Sequence, residues 1–467
     1  MTASAKHESL AGRLARQALD APGGPLPEAV AAKVRTCLID FMSCAFEARD
    51  LPWSRQALAV TKATGTGAHV VGFDHVAWPR DAAFVNATLG HGLVREDMHA
   101  GSISHHGVVV WPVLLALAQR RPVSGGDLLR AAVIGYEVGC RIGRALFDAD
   151  LARLFRPTGL TAPLGASLAA ARLLDFDVDQ ATSAFSLAAN TVGGLNQWPH
   201  HGGSEMYFQP AFAARNTVTA VELAEAGAFA SPDILEGEAG LFAAFARRPP
   251  PSEIALFTGG AFEILDVYNK PVPACNFAQT PCQAAVAALQ EAGTGSEAVR
   301  SVSIRVTRAA LRYPGCDFAG PYERPLQAKM SIQFGVASAL ARGAIEEANY
   351  ARLADAEIMR LVAAMSLSED AALTAAFPAA QGAEVVLSLA DGRRIARRLE
   401  DVVHATAEDV RRRFREAAGA VLGERRAREI ETFVDDLDAV ADAGRLLVLC
   451  APRGEAKRRA EALPAAE

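Results

Sequence analysis

Lysine is scarce in this 467-residue chain, with six residues (Lys6, Lys33, Lys62, Lys270, Lys329 and Lys457) beside 41 arginines. Arginine is therefore the default cation, and a lysine in an apolar setting marks a place where a compact ammonium is wanted. An excess of one charge sign is also lacking: 47 basic side chains against 53 acidic ones leave a net −6, and no basic stretch stands apart. That excludes a nucleic-acid footprint and favours small-molecule partners. The seven cysteines are odd in number, scattered, and never in a C-x-x-C pair, which excludes a disulfide framework and a zinc-thiolate site and points to a reducing cytoplasm. The longest apolar run, Val108 to Ala118, is interrupted by Pro112 and falls short of the roughly 20 residues a membrane span needs. Met1 to Gly24 lacks an apolar signal core, so a cytoplasmic location is expected. No G-x-G-x-x-G, P-loop or G-x-S-x-G occurs, so neither a nucleotide, an organic cofactor nor a serine nucleophile is implied.

What the chain does have is apolar material, 51% of residues, enough for a large core. From about Pro27 to Ala246 the apolar residues recur three and four apart, which predicts helices, many of them apolar on nearly every side. Leu128 to Leu146 carries Gly135, Gly139 and Gly143 four apart, and Ala162 to Leu174 is rich in small residues, so neighbouring backbones can approach both. The pattern changes near Phe262. A β-rich stretch there precedes a helix over Thr280 to Ala292, an alternating strand over Val299 to Val306, a helix over about Lys329 to Arg342, and two strands around Asp391-Gly392. Helices return at Ala407 to Leu422 and Glu424 to Val440. The reading is a mainly α fold: a discontinuous helical domain over 1–262 and 403–450, a smaller inserted α+β domain over 263–402, and a solvated tail over 451–467.

The densest polar cluster is HGLVREDMHAGSISHHG, His91 to Gly107, with four of the ten histidines plus Glu96 and Asp97 beside an apolar helix. Half-desolvated groups in such a loop suit acid-base chemistry. Asp97, His99, His105 and His106 are also metal-ligand types, but their spacing fits no established signature, and no metal is expected. Lys270, in VYNKPVPACNF, lies at the proposed junction of the two domains, where it could stabilise an enolate or carboxylate; the competing reading is a snorkelling strand residue. In FRPTGLTAPLGA, Arg156, Thr158 and Thr161 precede an apolar helix that Pro163 could open, a setting for anion binding or for simple capping. The loop Asn196 to Pro210, with His200, His201 and Glu205, suits a cavity lining or a subunit contact.

Taken in order, four stretches make the chain resemble the MmgE/PrpD family from about Leu14 to Leu449: NATLGHGLVREDMHAGSISHHGVVVWPVLLALA, GYEVGCRIG, RPTGLTAPLGASLAAARLL with AFSLAANTVGGL, and NKPVPACNFAQTPCQAA. The family includes 2-methylcitrate dehydratases, cis-aconitate decarboxylases and iminodisuccinate epimerases. The resemblance implies a helical domain with a small α+β lid, a homodimer, no cofactor, and a small di- or tricarboxylate substrate. It matches Lys270 to a basic catalytic position, Asp97 to the last aspartate of an L-D-F-D-D-T-type run, and Ser104 or His105 to a later histidine. Glu96 replaces the preceding aspartate of that run, Val94 and Met98 stand at its first aspartate and threonine, and Arg156 stands at a histidine. Met206 aligns with a lysine, and Phe334 is matched to a tyrosine.

The function expected on these grounds is that of a lyase or isomerase that abstracts a proton α to a carboxylate, giving dehydration, decarboxylation or epimerisation. Asp97, His105, His106 and Lys270 are the catalytic candidates, and His99, Ser104, Arg156, Thr158 and Lys329 the substrate-binding ones. The alternative is a non-catalytic paralogue serving as a dimeric scaffold or binding protein.

Overall fold

The computed structural model describes residues 8–452, so the tail read at 451–467 lies, except for its first two residues, outside the described residues. The fold is mainly helical with small sheets. One hydrophobic core runs from Leu10 through Val267 and resumes from Val410 to Cys450. A second core is built almost wholly from residues between Ala274 and Leu389, with Trp53, Val94, Trp198, Met206 and Tyr207 reaching into it from the helical body. No helix among the described residues is long and apolar enough to cross a membrane.

In the helical body, Gly125–Leu146 and Pro157–Leu173 pack most closely. Small residues permit this: a Cβ on Gly165 would stand 2.1 Å from the carbonyl oxygen of Gly135. The remaining glycines of the same stripe admit the histidine loop, because a Cβ on Gly139 would strike the His106 ring and one on Gly143 the Ser102 side chain. Ser124 caps the first of these helices through the Asp127 N–H. The returning helix Ala407–Leu422 packs on Glu28–Glu47, joining the two ends of the chain.

The smaller unit holds a four-stranded sheet in the order Met365–Glu369, Val299–Val306, Ala383–Leu389, Arg394–Leu399, with the first pair parallel and the others antiparallel. Val299, Val302, Ile304 and Val306 are buried while Arg300 and Arg305 face solvent. Gly392 takes φ 87° in the hairpin turn and Asp391 accepts from the Arg393 N–H, which is why that dipeptide turns the chain.

Two local readings differ. The helix expected to open at Pro163 begins at Pro157, where a missing N–H costs nothing, and runs through Pro163 to Leu173. The apolar helix read beside the histidine loop is present as Gly107–Leu117 and likewise carries a proline, Pro112, in its interior. The helix expected from Lys329 to Arg342 is two, Pro325–Met330 and Ile332–Arg342, because the Ser331 hydroxyl accepts from the Phe334 N–H and starts a new turn. A two-residue ladder, Met98↔Tyr268 and His99↔Val267, ties the histidine loop to the segment that carries Lys270.

Candidate active site

The helix Pro79–His91 ends in His91, and the chain then turns sharply through Gly92, Leu93 and Val94. Val94 sits at φ 60°, an uncommon place for a β-branched residue and a local store of strain. Its carbonyl accepts a hydrogen bond from Lys270 Nζ. Lys329 Nζ grips the same turn from the other side, donating to the carbonyls of Gly92 (3.3 Å) and Leu93 (3.5 Å) and to Glu347 Oε2 (2.7 Å). The Lys329 ammonium also lies over the rings of Trp53, Tyr207 and Tyr350. Both lysines are fully buried. Burial pushes the Lys270 pKa down to about 8, with Glu96 opposing the shift, and lowers Lys329 against the pull of Glu347.

Glu96 Oε1 is shared by two imidazoles, His91 Nδ1 at 2.6 Å and His105 Nδ1 at 3.2 Å. Burial alone would raise this carboxyl, but His91, His105 and Lys270 outweigh it and hold it below the usual range. Burial drives both histidines below their ordinary pKa, so they are neutral near pH 7. His105 Nδ1 also lies 2.8 Å from the Asp97 backbone carbonyl, which accepts only, so the proton belongs on Nδ1 and the lone pair on Nε2. Thr158 Oγ1 accepts from the His105 backbone N–H at 3.0 Å. Arg156 Nη2 donates to His91 Nε2 at 3.0 Å, its guanidinium lies over Trp198, and its Nε has no hydrogen-bond partner. Met206 Sδ lies 2.9 Å from the same His91 nitrogen.

The structure therefore brings His105, Lys270, Arg156 and Thr158 together, with Glu96 and His91 behind them. Asp97 turns elsewhere: its carboxylate accepts from the Tyr136 hydroxyl, one oxygen has no partner, and burial raises its pKa to about 7. His99 and His106 form a separate chain. His106 Nε2 meets Ser102 Oγ at 3.2 Å, Ser102 Oγ meets His99 Nδ1 at 2.7 Å, and His99 Nε2 meets Glu263 Oε2 at 3.0 Å. Burial takes the His106 pKa to about 3. Ser104 Oγ donates to the Ser102 carbonyl and lies 3.3 Å from Thr161 Oγ1.

His99, Cys140 and Glu263 offer ligand atoms within 4.8 Å of one another. Arg141 and Arg144 already approach the Glu263 oxygens at 3.0 and 2.8 Å, so its charge is matched without a metal ion.

Several residues escaped the sequence reading. His91 lay inside the motif but at a helix end, and nothing in its spacing marks it as a partner of Glu96. Phe334, matched to a tyrosine, packs between Tyr322 and Tyr350 in the second core. The phenol that stands against Arg156 is Tyr313, raised by burial. Arg413, from the returning helix, donates to the carbonyls of Lys270 (3.0 Å) and Pro271 (2.6 Å). In the loop Asn196 to Pro210, Trp198 is buried while His200 and His201 are exposed. Two cavities flank the cluster. One of about 1070 Å³ is lined by Arg95, Pro271, Glu347 and Arg413, and one of about 670 Å³ by Ile103, Arg153, Phe277 and Tyr313.

Comparison with known proteins bears on these residues. The MmgE/PrpD N-terminal domain family matches residues 12–254 and the MmgE/PrpD C-terminal domain family residues 272–439. Cis-aconitate decarboxylase of Aspergillus terreus is 26% identical over 458 residues, covering 91% of this chain and 92% of its own length. Cis-aconitate decarboxylase-like protein oryM of Aspergillus oryzae is 25% identical over 463 residues, covering 91% of this chain and 93% of its own.

Proposed function

Because the chain belongs to the MmgE/PrpD family, we propose that it is a lyase acting on a small di- or tricarboxylate, with His105 moving the proton and Lys270 and Arg156 holding the charge. The observation that carries this reading is the shared carboxylate of Glu96 between His91 and His105, set against the buried ammonium of Lys270.

Neutral His105 presents its Nε2 lone pair as the base for a proton α to a carboxylate. As Nε2 takes the proton the ring becomes cationic, and Glu96 stabilises it through Nδ1–H. The electron pair left on carbon delocalises into the neighbouring carboxylate, which Lys270 and Arg156 stabilise inside a site that excludes water. Dehydration follows when the C–O bond at the β-carbon breaks and the departing hydroxyl takes the proton back from the His105 imidazolium, leaving as water and returning the ring to its neutral form. In decarboxylation of an unsaturated tricarboxylate no substrate proton is abstracted: the electrons of the breaking C–C bond shift through the double bond, carbon dioxide leaves, and the far carbon takes a proton that His105 Nε2 has first drawn from solvent, the bound carboxylates and Glu96 favouring the charged ring. Decarboxylation of cis-aconitate is the first reaction to test, on the strength of the named relatives. The planar fork of the Arg156 guanidinium matches a carboxylate through two parallel N–H bonds, so it suits carboxylate binding rather than proton transfer. With Lys270, His105 and Arg156 all nearly or fully buried, substrate entry requires the α+β unit to move from the helical body.

The test is incubation of the full chain with cis-aconitate, methylcitrate and related carboxylates, following carbon dioxide, alkene absorbance and deuterium uptake from heavy water. Consumption of one of them is expected. If none is consumed and none raises the melting temperature, the lyase reading fails and the scaffold reading replaces it.

A further inference from the structure

Next to this site lies a pair of thiols that the proton chemistry does not use. Cys275 and Cys316 are far apart in sequence, yet their sulfurs stand 3.4 Å apart, and both side chains are buried. Among the described residues, no other two cysteine sulfurs lie within hydrogen-bonding distance. Both loops are tied to elements of the site. The Cys275 N–H donates to the Lys329 carbonyl at 2.8 Å, the Cys316 N–H donates to the Tyr313 carbonyl at 3.2 Å, and the Ile332 N–H donates to the Cys316 carbonyl at 2.9 Å. Phe277 and Tyr313, which flank the pair in sequence, line the cavity of about 670 Å³.

We propose that Cys275 and Cys316 form a reversible redox site, in which a peroxide-class oxidant arriving through that cavity converts the two thiols into a disulfide and a thiol reductant restores them. The Cys275 sulfur attacks one peroxide oxygen, the O–O bond breaks, and the departing oxygen leaves as water, giving a sulfenic acid. The Cys316 sulfur then attacks Cys275, the S–S bond forms, the S–O bond breaks, and a second water leaves with the Cys316 proton. Two thiols and one hydrogen peroxide thus become one disulfide and two waters.

The roles are unequal for a physical reason. The Cys316 thiol beside it, the Phe277 N–H and the charges of Lys270 and Arg156 lower the Cys275 pKa against burial, while burial raises Cys316. A bonded pair must close to about 2.05 Å between sulfurs, so one loop must shift by more than 1 Å or so. The Cys275 loop is the one that leads back to Lys270. Its effect on turnover rests on the proposed function; the covalent step does not.

The experiment treats the full chain with a few equivalents of hydrogen peroxide and maps it by non-reducing digestion and mass spectrometry. The expected product is one cross-linked peptide pair joining Cys275 to Cys316, about 2 Da lighter than its two thiol peptides and removed by dithiothreitol. Cys316→Ser should instead leave a sulfenic acid on Cys275 that dimedone traps. Turnover should fall about tenfold or more on cross-linking and recover on reduction. Free thiols at both positions after treatment, or a cross-link from Cys275 to another cysteine, overturn the proposal. A correct cross-link with unchanged turnover overturns the coupling to Lys270. Untreated protein inactive on every carboxylate counts against the lyase reading and leaves the peptide map to decide the thiol pair.

Discussion

Lys270 donates a hydrogen bond to the carbonyl of Val94, a valine held in the left-handed region at φ 60°. The ammonium is thereby aimed by a strained turn that Lys329 grips one and two residues earlier. Two of the chain's six lysines meet at one bend of backbone, beside the Glu96 carboxylate.

Activity should depend on the Lys270 charge. Its pKa is lowered to about 8, so the ammonium is present below that pH and is lost above it. The expected profile of kcat/KM falls as pH rises through about 8. Lys270→Met should cost on the order of 10²-fold or more at pH 7. Lys270→Arg should be weak but free of that alkaline limb, and a limb that persists in it would assign the titration to another group.

Glu96→Gln should cut kcat by about 10²–10⁴-fold with a smaller change in KM, because an amide cannot stabilise the imidazolium that forms at His105. His105→Ala should lose as much and also stop deuterium exchange into bound substrate. Exchange at the wild-type rate would remove His105 from the proton step.

Val94 offers a stability test with an unusual order. Val94→Ala keeps the positive φ and loses buried methyls, whereas Val94→Gly loses the side chain but also the strain, worth about 1–2 kcal/mol. Urea melts should therefore rank the glycine variant above the alanine variant, by about 1 kcal/mol.

Asp97 should make stability pH-dependent. Burial raises its pKa to about 7 from an unfolded value near 4, so the folded protein binds the extra proton between those values. Its contribution is most favourable at low pH and is lost as pH rises toward 7, a span worth on the order of a few kcal/mol. Asp97→Asn removes that dependence. The gap in melting temperature between variant and wild type should widen in favour of the variant from pH 5 to pH 8.

Arg413→Ala should lower kcat about tenfold or more without removing any charge from the reacting groups, because its guanidinium holds the Lys270 and Pro271 carbonyls. Arg413→Lys keeps one of the two bonds and should recover part of the loss. Equal loss in both variants, confined to KM, would contradict this.

Much of the architecture was legible because it is local. Alternation marked Val299–Val306, the Asp391-Gly392 pair marked the hairpin, and glycines four apart in Gly125–Leu146 marked the close approach of a neighbouring helix, which Gly165 makes at Gly135. Serine chemistry at Ser331 was equally local, yet the apolar periodicity running through it hid the break in the helix.

Residue order alone tells which chemical groups are available: a loop dense in histidine, two lysines in apolar settings among many arginines, and an arginine at a helix start. How those groups are shared out follows from the packing of distant segments. Adjacent residues His105 and His106 point to different networks, one to Glu96 and the other to Ser102 and His99. Tyr313 and Arg413 join the site from elements far along the chain, and Cys275 finds Cys316. The reason is physical. Spacing along a helix or strand constrains neighbours a few residues apart, whereas contacts between distant segments are set by how whole hydrophobic faces pack, which no single residue's surroundings in sequence record.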